Sequence, residues 1–143
     1  MSVIYNIAKQ KFANGEIDWV DNTIKVLLLD SGYTQEADDA AVSTIIGVSN
    51  ECSGTGYVRK TLANKVSDND TTNDRTELKA DNISWTGLNV GTVAGYLIYQ
   101  EVDSGDDSLN IPIVYVNEGG FPTTASGGDV AISFSADGII QLS

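Results

Sequence analysis

Twenty carboxylates and one thiol are the side chains of this 143-residue sequence with the most obvious capacity for chemistry, and no histidine is present to assist them. Without an imidazole, neither a Ser-His-Asp nor a Cys-His triad can be assembled, and the commonest general base near neutral pH is missing. Cys52 has no second cysteine for a disulfide and no histidine to lower its pKa or to share a zinc ion. It reads as a small, inert side chain ahead of a turn. Two carboxylates alone would suffice for glycoside hydrolysis, yet most of the acids lie in polar turn segments, where solvation and turn formation account for them. Asp68-Asn69-Asp70 and Asp103-Ser104-Gly105-Asp106-Asp107 offer oxygen ligands of the kind calcium prefers, but neither has the spacing of an EF-hand, so both read as solvated turns. Gly54-Thr55-Gly56 and Gly119-Gly120 lack the lysine and helix that follow a phosphate-binding loop. No catalytic residue, cofactor site or metal site is expected.

Charge narrows the partners. Acidic residues outnumber basic ones 20 to 8, giving a net charge of −12, which opposes binding to a nucleic-acid backbone. Lys79 is the last cation, so residues 80–143 carry carboxylates without a single Lys or Arg and would make poor contact with anionic membranes. A basic protein surface is a better match. The N-terminal residues show no basic region followed by an apolar run, so no signal peptide is expected, and no stretch is long and apolar enough for a transmembrane helix. Trp19, Trp85, Tyr57, Tyr96, Tyr99 and Tyr115 could line a sugar-binding groove. Their positions within strand patterns and beside apolar neighbours point instead to core or subunit contacts.

The elements that would position these residues follow from periodicity. Ile4, Ile7, Ala8 and Phe12 fall at helical spacing over residues 3–14, and Gly15 stands where a left-handed cap would end a helix. Residues 15–22 read as a tucked connector. Thr23 to Leu29 is apolar on both faces and predicts a central strand, while residues 35–50 predict a short helix or helical turn around Ala40, Ala41, Val42, Ile45 and Ile46. A strand is expected over 57–66, a polar loop over 68–74, and two pieces of one bent strand carrying Thr76, Leu78 and Ala80, then Ile83 and Trp85. Residues 90–102 and 111–116 should pair as a hairpin across the loop 103–110, with Pro112 at the start of its strand or on an edge. Val130, Ile132 and Phe134 alternate cleanly, and Asp137-Gly138 leads to a terminal strand over 139–142. No internal repeat stands out. The pattern predicts one domain over residues 1–143, a mainly β, antiparallel β-sandwich of about seven or eight strands with a short N-terminal helix. Immunoglobulin-like, jelly-roll-like and small-barrel arrangements all fit it.

Five segments carry a resemblance that extends over nearly the whole chain: Asn14-Gly15-Glu16-Ile17-Asp18-Trp19, Thr23-Ile24-Lys25-Val26-Leu27-Leu28-Leu29, Ser53-Gly54-Thr55-Gly56-Tyr57-Val58-Arg59-Lys60, Asp81-Asn82-Ile83-Ser84-Trp85-Thr86, and the close Ala136-Asp137-Gly138-Ile139-Ile140-Gln141-Leu142-Ser143. In these the chain resembles a small family of virion structural proteins of tailed bacteriophages. The resemblance implies an accessory protein of the head, with no catalytic residues to carry over. It points to a capsid decoration or cement role on the outer surface of the shell, after synthesis in the host cytoplasm. The partners would be the major capsid protein and further copies of the chain, with neither nucleic acid nor membrane involved. A tail or fibre module that binds a receptor or carbohydrate is the alternative. Residues 1–14 are the expected helix or docking segment, with Lys9 and Lys11 supplying cations and Phe12 an apolar contact for capsid docking.

Overall fold

The apolar run Ile24–Leu29 becomes β2, the strand around which the largest sheet is organised, because only a strand flanked by partners and covered on both faces can bury such a sequence. The computed structural model describes residues 2–143. In chain order the elements are β1 (Ser2–Ile4), α1 (Asn6–Ala13), β2, α2 (Val42–Ile46), β3 (Lys60–Thr61), β4 (Val66–Asp70), β5 (Arg75–Lys79), β6 (Ile83–Val93), β7 (Gly95–Gln100), β8 (Ile111–Val116), β9 (Thr123–Ile132) and β10 (Ile140–Leu142). Every strand pairing is antiparallel. The strands form a five-stranded sheet in the order β1-β8-β7-β2-β3, a three-stranded sheet β10-β5-β4, and a two-stranded ribbon β6-β9. The fold is therefore mainly β and antiparallel, with a short N-terminal helix, as the alternation of residues predicts.

The large sheet is buried on both sides. Register places Val26, Leu28, Tyr96, Ile98, Val114 and Val116 on one face. There the Tyr96 ring meets Phe121 and Phe134 edge-on, with centroids 5.5 and 6.3 Å apart. Leu27, Leu97 and Tyr115 share the opposite face, where Tyr33 packs edge-on against Tyr115 at 5.2 Å and bonds through its hydroxyl to Tyr5 at 2.8 Å. At Gly95, facing Tyr115, an added Cβ would lie 2.4 Å from the Val116 carbonyl, so glycine is what lets β7 approach β8 there.

Several boundaries differ from the sequence expectation. The helix starts at Asn6 and not at residue 3, because Ser2, Val3 and Ile4 pair with Val116, Tyr115 and Val114. The strand expected over 57–66 shrinks to Lys60–Thr61, and 66–70 belongs to a hairpin with β5. The supposed polar loop is thus half strand. Its acids are accommodated because Asp68 pairs with Lys79 at 3.1 Å and Asp70 faces Arg75 at 3.6 Å. Leu78 and Trp85 sit on strands of different sheets, and the 90–102 segment breaks at Ala94, whose N–H bonds the Leu29 carbonyl at 2.8 Å. Pro112 is the second residue of β8, opposite Tyr99 at a register shift, where the ladder is already irregular and a missing N–H is tolerated.

Candidate docking surface

Helix α1 stops in a Schellman motif, and that stop determines what its last turn presents. Gly15 takes φ +72°, its N–H bonds the Phe12 carbonyl at 3.1 Å, and the Glu16 N–H bonds the Lys11 carbonyl at 2.8 Å. The connector that follows tucks Ile17 and Trp19 inside. The Trp19 Nε1–H donates to the Lys79 carbonyl at 2.9 Å, tying the connector to β5. Asp18 then closes a turn by accepting the N–H groups of Val20 and Asp21 at 2.9 and 3.0 Å, which leaves Val20 46% exposed. Phe12, Ile17, Trp19, Val20, Leu78 and Leu142 consequently line an open apolar groove of about 300 Å³, bordered by Asp18 and Ser67.

Of the three residues expected to dock, only Phe12 lines this groove. Lys9 bonds Asn6 Oδ1 at 3.2 Å on the exposed side of α1. Lys11 pairs with Glu16 and borders a separate depression beside Val102 and Leu109. The hydrogen bonds from Lys11 and Asn14 hold the Glu16 carboxyl below its ordinary pKa. Trp19, Val20 and Leu142 were not singled out for docking. The turn residues around Trp19 and Val20 were the only local signal, and the contribution of Leu142 depends on a pairing from the far end of the chain.

Most other cations are held within the molecule. Lys25 pairs with Glu101 at 2.8 Å, Lys79 bridges Asp68 and Glu77, and Lys60 lies 6.0 Å over the Trp85 ring. Arg75 reaches Glu77 at 2.6 Å, so Glu77, although only 4% exposed, is flanked by two cations. Arg59 spends all five of its N–H donors: two on Glu51, two on Asp107 and one on the Tyr99 hydroxyl, over 2.7 to 3.1 Å. The remaining acids leave the protein with a net negative charge.

The residues weighed for chemistry have structural occupations. Asp103 accepts the Gly105 N–H at 2.7 Å, Asp106 accepts the Ser108 N–H at 2.9 Å, and Asp107 belongs to the Arg59 clasp. Among the described residues, no three of His, Cys, Asp and Glu gather as they would to hold a metal. Burial, with the Asp30 and Glu51 charges nearby, pushes the Cys52 thiol up to about 12, so it stays protonated and unreactive. Trp19, Trp85, Tyr96, Tyr99 and Tyr115 are buried, and Tyr57 is half-buried with its hydroxyl on Glu51 at 2.7 Å. No helix among the described residues is long and apolar enough to cross a membrane. No family model, curated protein or solved structure matches the chain.

Proposed function

We propose that this protein is a non-catalytic structural component of a tailed-phage particle, a decoration or cement protein that binds the outer face of the assembled head and ties neighbouring major-capsid subunits together. The observation that carries the reading is the groove at the end of α1. It is apolar, it leaves Val20 and Leu142 46% and 40% exposed, and it is held open by a rigid helix cap and a tryptophan hydrogen bond. Exposed apolar side chains gathered in one concavity are the usual mark of a protein-binding site. The acidic character of the rest of the surface would orient the protein toward basic patches of a shell.

A shell under internal pressure is stabilised by any protein that binds it only when assembled, since binding favours the state that holds the ligand. Many copies on one lattice make modest individual contacts effective. A sugar-binding fibre module would need exposed rings, and the two tryptophans are only 3% and 0% exposed.

Co-sedimentation with shells lacking the protein tests the proposal. Wild-type protein should saturate assembled shells and bind free capsid subunits more weakly. Replacing Val20 and Leu142 together by aspartate should weaken shell binding at least about tenfold, roughly the loss of two apolar contacts, while the melting temperature stays near that of the wild type. Equal binding by the variant would remove the groove from the proposal, and recovery of the protein only with tails would remove the head.

A further inference from the structure

Two strand edges face each other across a second crevice, which shares strand β10 but no lining residue with the α1 groove. On one side is β1, the outermost strand of the five-stranded sheet, and on the other is β10, the outermost strand of the three-stranded sheet. Ser2, Ile4 and Val114 line it from the first side, and Ile139, Ile140 and Gln141 from the second, around a volume of about 370 Å³. It continues into a smaller space of about 200 Å³ floored by Tyr96, Phe121 and Phe134.

Hydrogen-bond phase shows which backbone groups look into this crevice. The Tyr5 N–H donates to the Ile113 carbonyl at 3.0 Å, so Tyr5 and Val3 turn their backbone groups toward β8, and Ser2 and Ile4 turn theirs away from it. On the other side the Ile139 N–H donates to the Leu78 carbonyl at 2.8 Å. Leu78 therefore faces β10, Ile140 and Leu142 bond to β5, and the N–H and C=O of Gln141 point outward. Ser2, Ile4 and Gln141 thus present donors and acceptors from opposite walls of one space. Among the described residues, the only charged side chain lining either part is Glu118; Asp137 lies beside the mouth, 69% exposed and 3.6 Å from Arg75, but that one guanidinium also serves Glu77 and Asp70, so the mouth keeps a net negative charge.

We propose that the crevice between β1 and β10 accepts an extended segment of another protein by strand addition, the segment alternating apolar with basic residues. Backbone groups on both walls supply the ladder, the aromatic floor takes the apolar side chains, and the acidic mouth selects lysine or arginine. This site has no lining residue in common with the α1 groove and does not depend on the particle to which the protein belongs.

The probe is a fluorescent, end-blocked nonapeptide of alternating lysine and valine. Two controls accompany it, one with glutamate for lysine and one with glycine for valine. The lysine–valine peptide should bind with a Kd below about 100 µM, and each control at least about tenfold more weakly. Hydrogen exchange should slow at Ser2, Ile4 and Gln141, whose backbone groups face the crevice, and not at residues 12–20 of the α1 groove. Ser2→Pro and Gln141→Pro each delete an outward N–H and leave the inner ladder intact, so each should weaken binding about tenfold with an unchanged circular dichroism spectrum. Should one variant fail to fold, the other carries the test. Equal affinity for the lysine–glycine control, protection elsewhere, or binding unaltered in a folded variant would overturn the proposal, as would no binding at all.

Discussion

Replacing Arg59 with methionine is expected to cost about 2–4 kcal/mol and to lower the melting temperature by about 10 °C, a loss well beyond that of an ordinary surface ion pair. The guanidinium is clasped in-plane by two carboxylates, Glu51 with both contacts at 2.7 Å and Asp107 at 2.8 and 2.9 Å, and lies 5.5 Å from the Tyr99 ring centroid. Its side chain is 23% accessible, which sets the expected cost between the exposed and fully buried limits. Removing it leaves Glu51 and Asp107 facing each other with nothing between them. Lysine should restore only part of the loss, because one ammonium cannot satisfy two forked carboxylates.

The same clasp predicts a pH signature. Arg59 holds the Asp107 carboxyl below its ordinary pKa, with Asn110 assisting. A depressed folded-state pKa contributes stability that is present above the unfolded value, near 4, and is lost as pH falls through the folded one. The stability gap between wild type and Arg59→Met, measured by urea unfolding, should therefore narrow from pH 7 toward pH 3. A gap that stays constant would show that Asp107 does not report on the clasp.

Trp85→Ala is expected to be more damaging still, at about 3–5 kcal/mol, a large part of the total stability of a domain this size. Trp85 is fully buried on β6, and its Nε1–H donates to the Val58 carbonyl at 2.7 Å. That bond and the Thr55–Asn89 bridge hold the 54–58 segment along the edge of β6. The approach is so close that a Cβ on Gly54 would sit 2.2 Å from the Asn89 carbonyl. Alanine would open a cavity and strand the Val58 oxygen together. Trp85→Phe should recover roughly half of the loss, since it refills most of the volume and still leaves that carbonyl unpaired. Far-UV circular dichroism during thermal unfolding gives both values, and a loss below about 1 kcal/mol for alanine would mean that the site relaxes around the missing ring.

Segments whose burial is decided locally were legible in the residues themselves. Ile24–Leu29 is apolar on both faces and is a central strand; Gly15 ends α1; residues 111–116 pair across a short loop with the strand before them. The segment 66–70 was not legible, because Val-Ser-Asp-Asn-Asp has the composition of a turn. It is a strand because it pairs residue by residue with β5, where Lys79 and Arg75 lie against its acids. The docking groove was half legible. Phe12 follows from helical spacing, but its partners Leu78 and Leu142 arrive from β5 and β10, and no local pattern says that a chain's last strand will lie beside its first helix.

By itself the sequence determined the chemistry and the class: an acid-rich chain without histidine, built from alternating short apolar runs, makes antiparallel sheet and has no nucleophile–imidazole pair to set to work. Tertiary structure alone decided which edges meet and which polar residues are consumed. Strand pairing joins residues far apart in the chain, and alternation specifies which side of a strand is buried without specifying its neighbour. The fate of Arg59 follows the same rule: its two carboxylates, at 51 and 107, are brought to one guanidinium by the sheet and by nothing in their local sequence.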